Sequence, residues 1–438
     1  MKRLALLIVA LATPLAASAT AYPPVKTPIT AIVGGTVATG LADPVVATVL
    51  LRGGGIIAVG NVAVPAGATV IDATGKWVTP GIIAAMSQVG LSEVEEGTPS
   101  NDTAARRTPF SAGLDAAAGL NAAASPVAVT RQAGVTRAAV ALGATHAVFG
   151  GQGALITLAA GPNLLMRGRA FQFVELGEQG ARIAGGSRPA AFAAFEEGLT
   201  EARDLAANRG RYRALEPREA LLTRFDAEAL VPVVEGRVPL VVHVERASDL
   251  MNVLRLRARF SGLKLILIGA NEGWLVASEI ASSRVPVITG TLDDRPEQFE
   301  LLAATKSNIG RMVAAGVTVA IGSFGDGTGN QTRNLPQFAG NAVAQGRVPG
   351  GVGLSWTQAL AAITSVPARI WGFNDTGSLT AGKRADVVVW DGDPLELASA
   401  PTLVLIDGVP QPLSTRQTEL RDRYLRLPHD ALPLQYPR

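Results

Sequence analysis

Residues 76–86, KWVTPGIIAAM, decide how the rest of the chain reads. Lys76 to Thr79 ends a series of short β segments, and Pro80-Gly81 breaks it before a new apolar run from Ile82 to Met86. Upstream, ITAIVGGTV (29–37), VVATVLLRGGGIIAVG (45–60) and ATVIDATGKWVTPG (68–81) are brief runs cut by glycine. That pattern suits an antiparallel sheet and not the start of a βαβ unit. It returns near the end, in GSLTAGKRADVVVWDGDP (377–394) and TLVLIDGVPQ (402–411). One sheet built from both ends of the chain accounts for this economically.

Downstream of Gly81 the signal changes to apolar strands alternating with amphipathic helices. Strand-like runs are GIIAAM (81–86), VTRAAVAL (135–142), VPLVVHV (238–244), LKLILIG (263–269), VPVITG (285–290) and VTVAIGS (317–323). Helical stretches cover 190–207, 248–260, 272–282 and 355–363. Near-continuous aliphatic strands are buried on both faces, as in a parallel sheet covered by helices. About 290 residues of such units, 81–370, fit a closed (β/α)8 barrel. The alternative is an open doubly wound sheet, but no G-x-G-x-x-G follows a first strand, so a dinucleotide site has no support.

With 438 residues, 48% hydrophobic and 17% charged, the chain can build one large domain and a smaller one. Disorder, collagen and coiled coil are excluded. Lys and Arg total 39 against 36 Asp and Glu, a net charge of +3. Two of the positives, Lys2 and Arg3, precede an apolar run from Leu4 to Leu15 and small residues at Ala17, Ala19 and Ala21. Residues 1–21 therefore read as a secretory signal, cleaved after Ala19 or Ala21, and the mature protein is expected in the periplasm with no integral membrane segment. The mature charge is near +1 and no basic stripe with interleaved aromatics occurs, which argues against a nucleic-acid partner. Arg255, Arg257 and Arg259 read as a solvated helix face. The absence of cysteine excludes disulfides, thiolate metal sites and a Cys nucleophile.

Three motifs occur in order: Val78-Thr79-Pro80-Gly81 leading into the first core strand, PLVVHVERASD at 239–249, and the 377–394 segment. Together they resemble the amidohydrolase superfamily, especially its imidazolonepropionase-like branch, over nearly all of the chain after the signal. The resemblance implies a distorted TIM (β/α)8 barrel over 81–370, a composite β-sandwich formed by 22–80 and 371–413, and a C-terminal tail, 414–438. It also implies hydrolysis of non-peptide C–N bonds. One or two divalent metals at the barrel mouth acidify a bound water and polarise the carbon under attack.

On that pattern Met86 and Gln88 stand where a His-x-His pair usually supplies the first ligands. His243 matches the fifth-strand histidine and is followed by Glu245, whereas Ile268-Gly269-Ala270 carries none for the sixth strand. After Gly322-Ser323, Phe324 replaces the catalytic Asp. The chain has only three histidines, His146, His243 and His429. A thioether and an amide are poor ligands for a borderline dication. The expectation is a lost metal centre, no cofactor, and a chain that is inactive as a hydrolase or binds a small molecule or partner. The alternative is an active amidohydrolase on cyclic amide or dipeptide-like C–N bonds, with zinc, at an irregular site around His243, His146, Glu245 and Asp326.

Candidate catalytic residues are thus His243 and Asp326, and candidate binding residues are Met86, Gln88, His146, Glu245 and Phe324. His243 reads equally as a core histidine bonded to Glu245 or Asp249. Glu93, Glu95 and Glu96 could line the mouth or be plain solvated charge. Gly150-Gly151-Gln152-Gly153 reads as a tight turn, or as a nest of N–H groups facing the pocket. Glu272 opens a helix whose N-terminus favours an acid, and Trp274 packs. Asp326, among Gly325, Gly327 and Gly329, reads more simply as part of a turn. RQTELRDRYLR (416–426) could pack on a second copy of the chain. No G-x-S-x-G or S-x-x-K offers a substitute nucleophile.

Overall fold

The computed structural model describes residues 28–93, 100–209, 220–295, 297–322 and 331–425. The chain opens with β1 (Ile29–Val37), β2 (Val45–Arg52), β3 (Gly55–Gly60), β4 (Thr69–Asp72) and β5 (Trp77–Pro80). β1, β2 and β3 form an antiparallel meander. β1 forks: its first half pairs in parallel with β4 and its second half with β5. A bulge between Ile32 and Gly35 makes the fork. Gly34 there has φ +75°, and a Cβ would lie 2.6 Å from Thr74 Oγ1, so only glycine fits the left-handed turn.

Eight further strands follow: β6 (Ile82–Ser87), β7 (Val135–Val140), β8 (Phe149–Thr157), β9 (Leu165–Glu175), β10 (Leu240–Val244), β11 (Leu265–Gly269), β12 (Val287–Thr289) and β13 (Val319–Ile321). They pair in chain order as one sheet. Gly322, just past β13, lies against β6, since a Cβ there would meet Ala85 Cβ at 3.5 Å and Met86 N at 3.7 Å. The ring is therefore nearly closed, as a distorted TIM barrel.

One expectation is corrected. β8 runs antiparallel to both β7 and β9, so a hairpin pair replaces the third β/α unit. The glycines at 150–153 lie within β8 and form neither a turn nor a nest. Their reason is packing: a Cβ on Gly153 would sit 2.0 Å from Phe171 Cζ, and one on Gly150 would sit 2.7 Å from Phe173 Cδ1. Glycine normally weakens a strand, and here it admits two rings from β9.

Inside the barrel, Met86, Phe171, Phe173, Val241, Ile268 and Ile288 pack into one cluster with Trp371. The Trp371 indole donates to Ala85 O at 2.8 Å, and its ring lies 4.6 Å from Phe171. Alternate residues, such as Val174, Val242 and Leu267, face outward to the helices. Those helices are α1 (Ser125–Gln132), α2 (Gly177–Ile183), α3 (Arg188–Ala207), α4 (Arg224–Val234), α5 (Ala247–Leu256), α6 (Ala277–Ser283), α7 (Asn308–Ala314), α8 (Leu335–Ala344), α9 (Trp356–Ala362) and α10 (Ser365–Trp371). α3 starts at Ser187, whose hydroxyl accepts from Ala190 N, and buries Phe195, Leu199, Ala202 and Leu205 at helical spacing.

The chain then returns through β14 (Val387–Trp390), β15 (Pro401–Ile406) and β16 (Val409–Pro410) to α11 (Arg416–Leu425). β14 lies antiparallel to β5, with Val387 opposite Pro80 and Trp390 opposite Trp77. Both ends of the chain thus share one eight-stranded sheet, which curls so that Ile32, Val49, Val78, Val387 and Leu405 form a core of their own. At the seam with the barrel, buried Arg137 on β7 makes two bonds to Asp386, at 2.9 and 3.0 Å.

Candidate functional site

The alternation that sends Phe171, Phe173 and Val241 into the barrel brings Glu175, His243 and Glu245 to its C-terminal mouth. His243 is directly opposite Glu175 across the β9/β10 ladder. Its Nδ1 lies 2.7 Å from Glu175 Oε1 and its Nε2 lies 3.0 Å from Glu245 Oε1. The side chain is 15% exposed. Burial alone disfavours the charged ring, but the charge and hydrogen bond of Glu175, followed by those of Glu245, outweigh it and raise the His243 pKa well above its ordinary value. The two carboxylates that hold the imidazole thus favour its protonated form.

The remaining carboxylate oxygen of Glu245 accepts from Asn271 N at 2.9 Å. Close approach explains Gly269 at the end of β11, since a Cβ there would lie 2.4 Å from Glu245 Oε1. A third carboxylate, Glu300, accepts from Glu178 N at 2.8 Å and from Arg188 at 2.9 Å. Burial pushes its pKa up to about 7; Glu245 adds to the rise, while the Glu178 N–H, His243 and Arg188 oppose it. These groups border a cavity of about 490 Å³, with Gln88, Asn271, Asp293 and Glu297 also on its wall. Carboxylates outnumber cations there: Glu175, Glu245, Asp293, Glu297 and Glu300 face His243 and Arg182.

Of the expected site residues, His243, Glu245 and Gln88 meet at this cavity, and Gln88 Nε2 also donates to Thr103 O at 3.3 Å. Met86 does not: it is 1% exposed and packed in the barrel interior. His146 is exposed in the loop before β8, its Nδ1 3.3 Å from Thr145 Oγ1, away from the cavity wall. Glu93 holds Asn121 and the start of α1 instead of lining the mouth. Asp249 pairs with Arg188 and Arg246, not with His243. Glu272 does serve a helix N-terminus, but that of α5, accepting from Ala247 N at 3.0 Å. Asp326, Phe324, Ser323, Glu95, Glu96, His429 and the segment 1–21 lie outside the described residues.

Sequence reading missed Glu175 and Glu300. Glu175 was accessible only through strand pairing, because β9 carries arginines and glycine that mask its strand character. Glu300 sits in a short helical turn, Phe299–Leu301, where nothing local marks it.

Residues 266–410, from β11 to β16, match a family described as the amidohydrolase family. Over 60 residues the chain is 47% identical to amidohydrolase tasK of Hapsidospora irregularis, a match covering 14% of this chain and 6% of that protein. The chain thus spans a small part of that relative. The fold is similar to that of an amidohydrolase from Thermotoga maritima MSB8, with a TM-score of 0.77 and 24% identity, covering 87% of this chain and 99% of the other. It is also similar to molinate hydrolase, with a TM-score of 0.53 and 18% identity over 94% of this chain and 99% of that one. Residues 266–410 thus carry the amidohydrolase match, and the chain as a whole shares the fold of these two hydrolases.

The superfamily's divalent centre can be tested against the donors in place. At the mouth of this barrel both His243 nitrogens are engaged by carboxylates. Neutral imidazoles with a free lone pair are what a zinc-type ion needs. The Met86 thioether points into packed hydrocarbon, and Ala270 follows the sixth strand with no donor side chain. Among the described residues no three His, Cys, Asp or Glu side chains are arranged to hold one ion. The described side chains do not fit an imidazole-ligated dication.

Proposed function

We propose that this amidohydrolase-family protein has lost its metal centre and uses the barrel mouth to bind a small molecule bearing a cationic or N–H-rich group. The observation that carries this reading is the clamping of His243 between Glu175 and Glu245. It removes the one histidine that the resemblance places at a ligand position. The cavity volume lies in the range of small-molecule sites. Among the described residues its carboxylates exceed its cations even with His243 set against Glu175 and Glu245, which attracts positive charge. No nucleic-acid surface enters this reading.

Elemental analysis of the purified mature chain tests it, together with calorimetric titration of agmatine as a cationic probe. Substoichiometric metal and saturable agmatine binding that is lost in Glu175→Gln are expected. Stoichiometric zinc that disappears in His243→Ala would overturn the proposal.

A second reading, an active hydrolase of cyclic amide or dipeptide-like C–N bonds, is favoured by one observation. Glu300, with a pKa of about 7, could exchange a proton at neutral pH beside the cavity. Turnover of such substrates, abolished by Glu300→Gln, would establish it. Failure over a broad amide and dipeptide panel would remove it.

We place the protein in the periplasm, on the charged and then apolar pattern of residues 1–21. N-terminal sequencing of protein from a periplasmic fraction should begin after Ala19 or Ala21. A homo-oligomer is supported by α11, which buries none of its residues and exposes Leu420, Tyr424 and Leu425. An elution mass unchanged on truncation at residue 414 would exclude a role for the tail.

A further inference from the structure

We infer that the cleft between α3 and α5, on the outside of the barrel, is a second binding site, for a small organic dianion with an apolar body. The inference stands on the fold and is independent of what occupies the mouth. The cleft is a cavity of about 530 Å³. Its rim carries four guanidinium groups, Arg188, Arg246, Arg255 and Arg259, against two carboxylates, Glu196 and Asp249. Pro189, Phe192 and Leu256 supply the apolar surface between them.

The internal pairing leaves positive charge over. Arg188 is committed, at 2.8 Å to Asp249 and 2.9 Å to Glu300. Arg259 is paired with Glu196. Arg246 reaches Asp249 only at 3.3 Å, sharing it with Arg188, and among the described residues its Nε is buried with no hydrogen-bond partner. Among the described residues Arg255 bonds the neutral amide of Asn252, at 3.2 Å, and no carboxylate. The Arg246 side chain is 41% exposed, so an acceptor from outside the chain can reach the guanidinium and complete its bonding.

The three arginines of residues 255–259 divide in a way that a solvated helix face does not require. Arg257 turns away, its Nη1 donating to Ser283 O at 2.8 Å. Arg255 in the last turn of α5 and Arg259 in the turn that follows it face the cleft. Arg246 and Arg255, the two guanidiniums with donors left over, can each take an anionic oxygen of one ligand. Their planar forks suit carboxylate or phosphate oxygens, and the flanking Phe192 and Leu256 suit an aryl or short alkyl body. Phosphate monoesters and dicarboxylates share this chemistry.

Isothermal titration of the full mature chain with phenyl phosphate, and separately with phenylsuccinate, tests the inference. Saturable one-to-one binding of at least one probe is expected, weakening as salt is raised. Arg255→Ala and Arg246→Ala should each weaken it by about tenfold or more. Arg257→Ala, outside the cleft, should leave it unchanged and serves as the folded control. Binding of one probe alone identifies which anion chemistry the cleft takes. No saturable binding of either probe, or binding equally strong in Arg255→Ala and Arg246→Ala, would overturn the inference.

Discussion

Replacing Asp386 by Ala should be among the most damaging single substitutions in the chain. Its side chain is 1% exposed and accepts from Arg137 Nε at 2.9 Å, Arg137 Nη2 at 3.0 Å, Thr376 Oγ1 at 2.8 Å and Asp407 N at 3.0 Å. Arg137 is itself 2% exposed, so truncation leaves a buried guanidinium with only Asp407, at 2.9 Å and 40% exposed, to balance it. Breaking a buried pair in this way costs about 3–5 kcal/mol. Asp386→Asn keeps the shape but loses the charge on those bonds, a smaller loss of roughly 1.5–3 kcal/mol. Equilibrium unfolding in urea, followed by tryptophan fluorescence, measures both. The double substitution Arg137→Met with Asp386→Leu removes the orphaned charge and should recover most of the Asp386→Ala loss. A loss below about 1 kcal/mol for Asp386→Ala, or a double variant no better than the single, would refute the reasoning that this pair secures the seam between β7 and the terminal sheet.

Gly153→Ala should destabilise the chain by roughly 1–3 kcal/mol in the same assay, because the added carbon meets the Phe171 ring; no change in midpoint would show that the ring can move aside. Reinstating imidazoles with Met86→His and Gln88→His should lower stability by about 1–3 kcal/mol without stoichiometric zinc in the purified protein, because position 86 is buried in hydrocarbon. Glu300 has a folded pKa raised to about 7, so its charged form is disfavoured and stability falls as pH rises through that value from the ordinary carboxylate range. Melting temperatures between about pH 4.5 and 7.5 should therefore decline, and Glu300→Gln should flatten the decline; an unchanged slope would mean that the carboxyl is charged throughout.

The barrel strands β6, β7, β10, β11, β12 and β13 are readable because burial on both faces fills most of their positions with apolar residues. The sheet shared by the two ends is readable because glycine-cut alternation recurs at 377–394. β8 and β9 are not. Their glycines answer to aromatic rings on a neighbouring strand, and the exposed Leu165, Arg167 and Arg169 of β9 reach past the covered part of the barrel. The same cause hides half of the site. His243 on β10 and Glu245 just past its end can be placed by local pattern, whereas Glu175 becomes their partner only through the β9/β10 register. Met86 shows the opposite limit: motif position put it at the mouth, and side-chain direction put it in the core.

The charge balance at the mouth gives the lost-metal reading its sharpest consequence. Glu175 and Glu245 are buried carboxylates on neighbouring strands, and in such a place anions need a cation. In this chain the imidazolium of His243 fills that need, bonded to both. Removing it in His243→Ala leaves two buried carboxylates, with Glu300 near them, and no cation inside the pair. At neutral pH the loss should be about 3–5 kcal/mol, as for one member of any buried ion pair. It should shrink toward about pH 4, where the unfolded carboxylates also take up protons and burying them neutral costs little. Wild type is level over that acid range: the raised His243 pKa contributes stability that is full below its unfolded value and is lost only as pH rises through the folded one. The gap between the two proteins in urea unfolding should therefore widen from acid to neutral pH. A gap that is flat with pH would mean that His243 is neutral in the folded protein, free to offer a lone pair, and the case against a metal at the barrel mouth would fail.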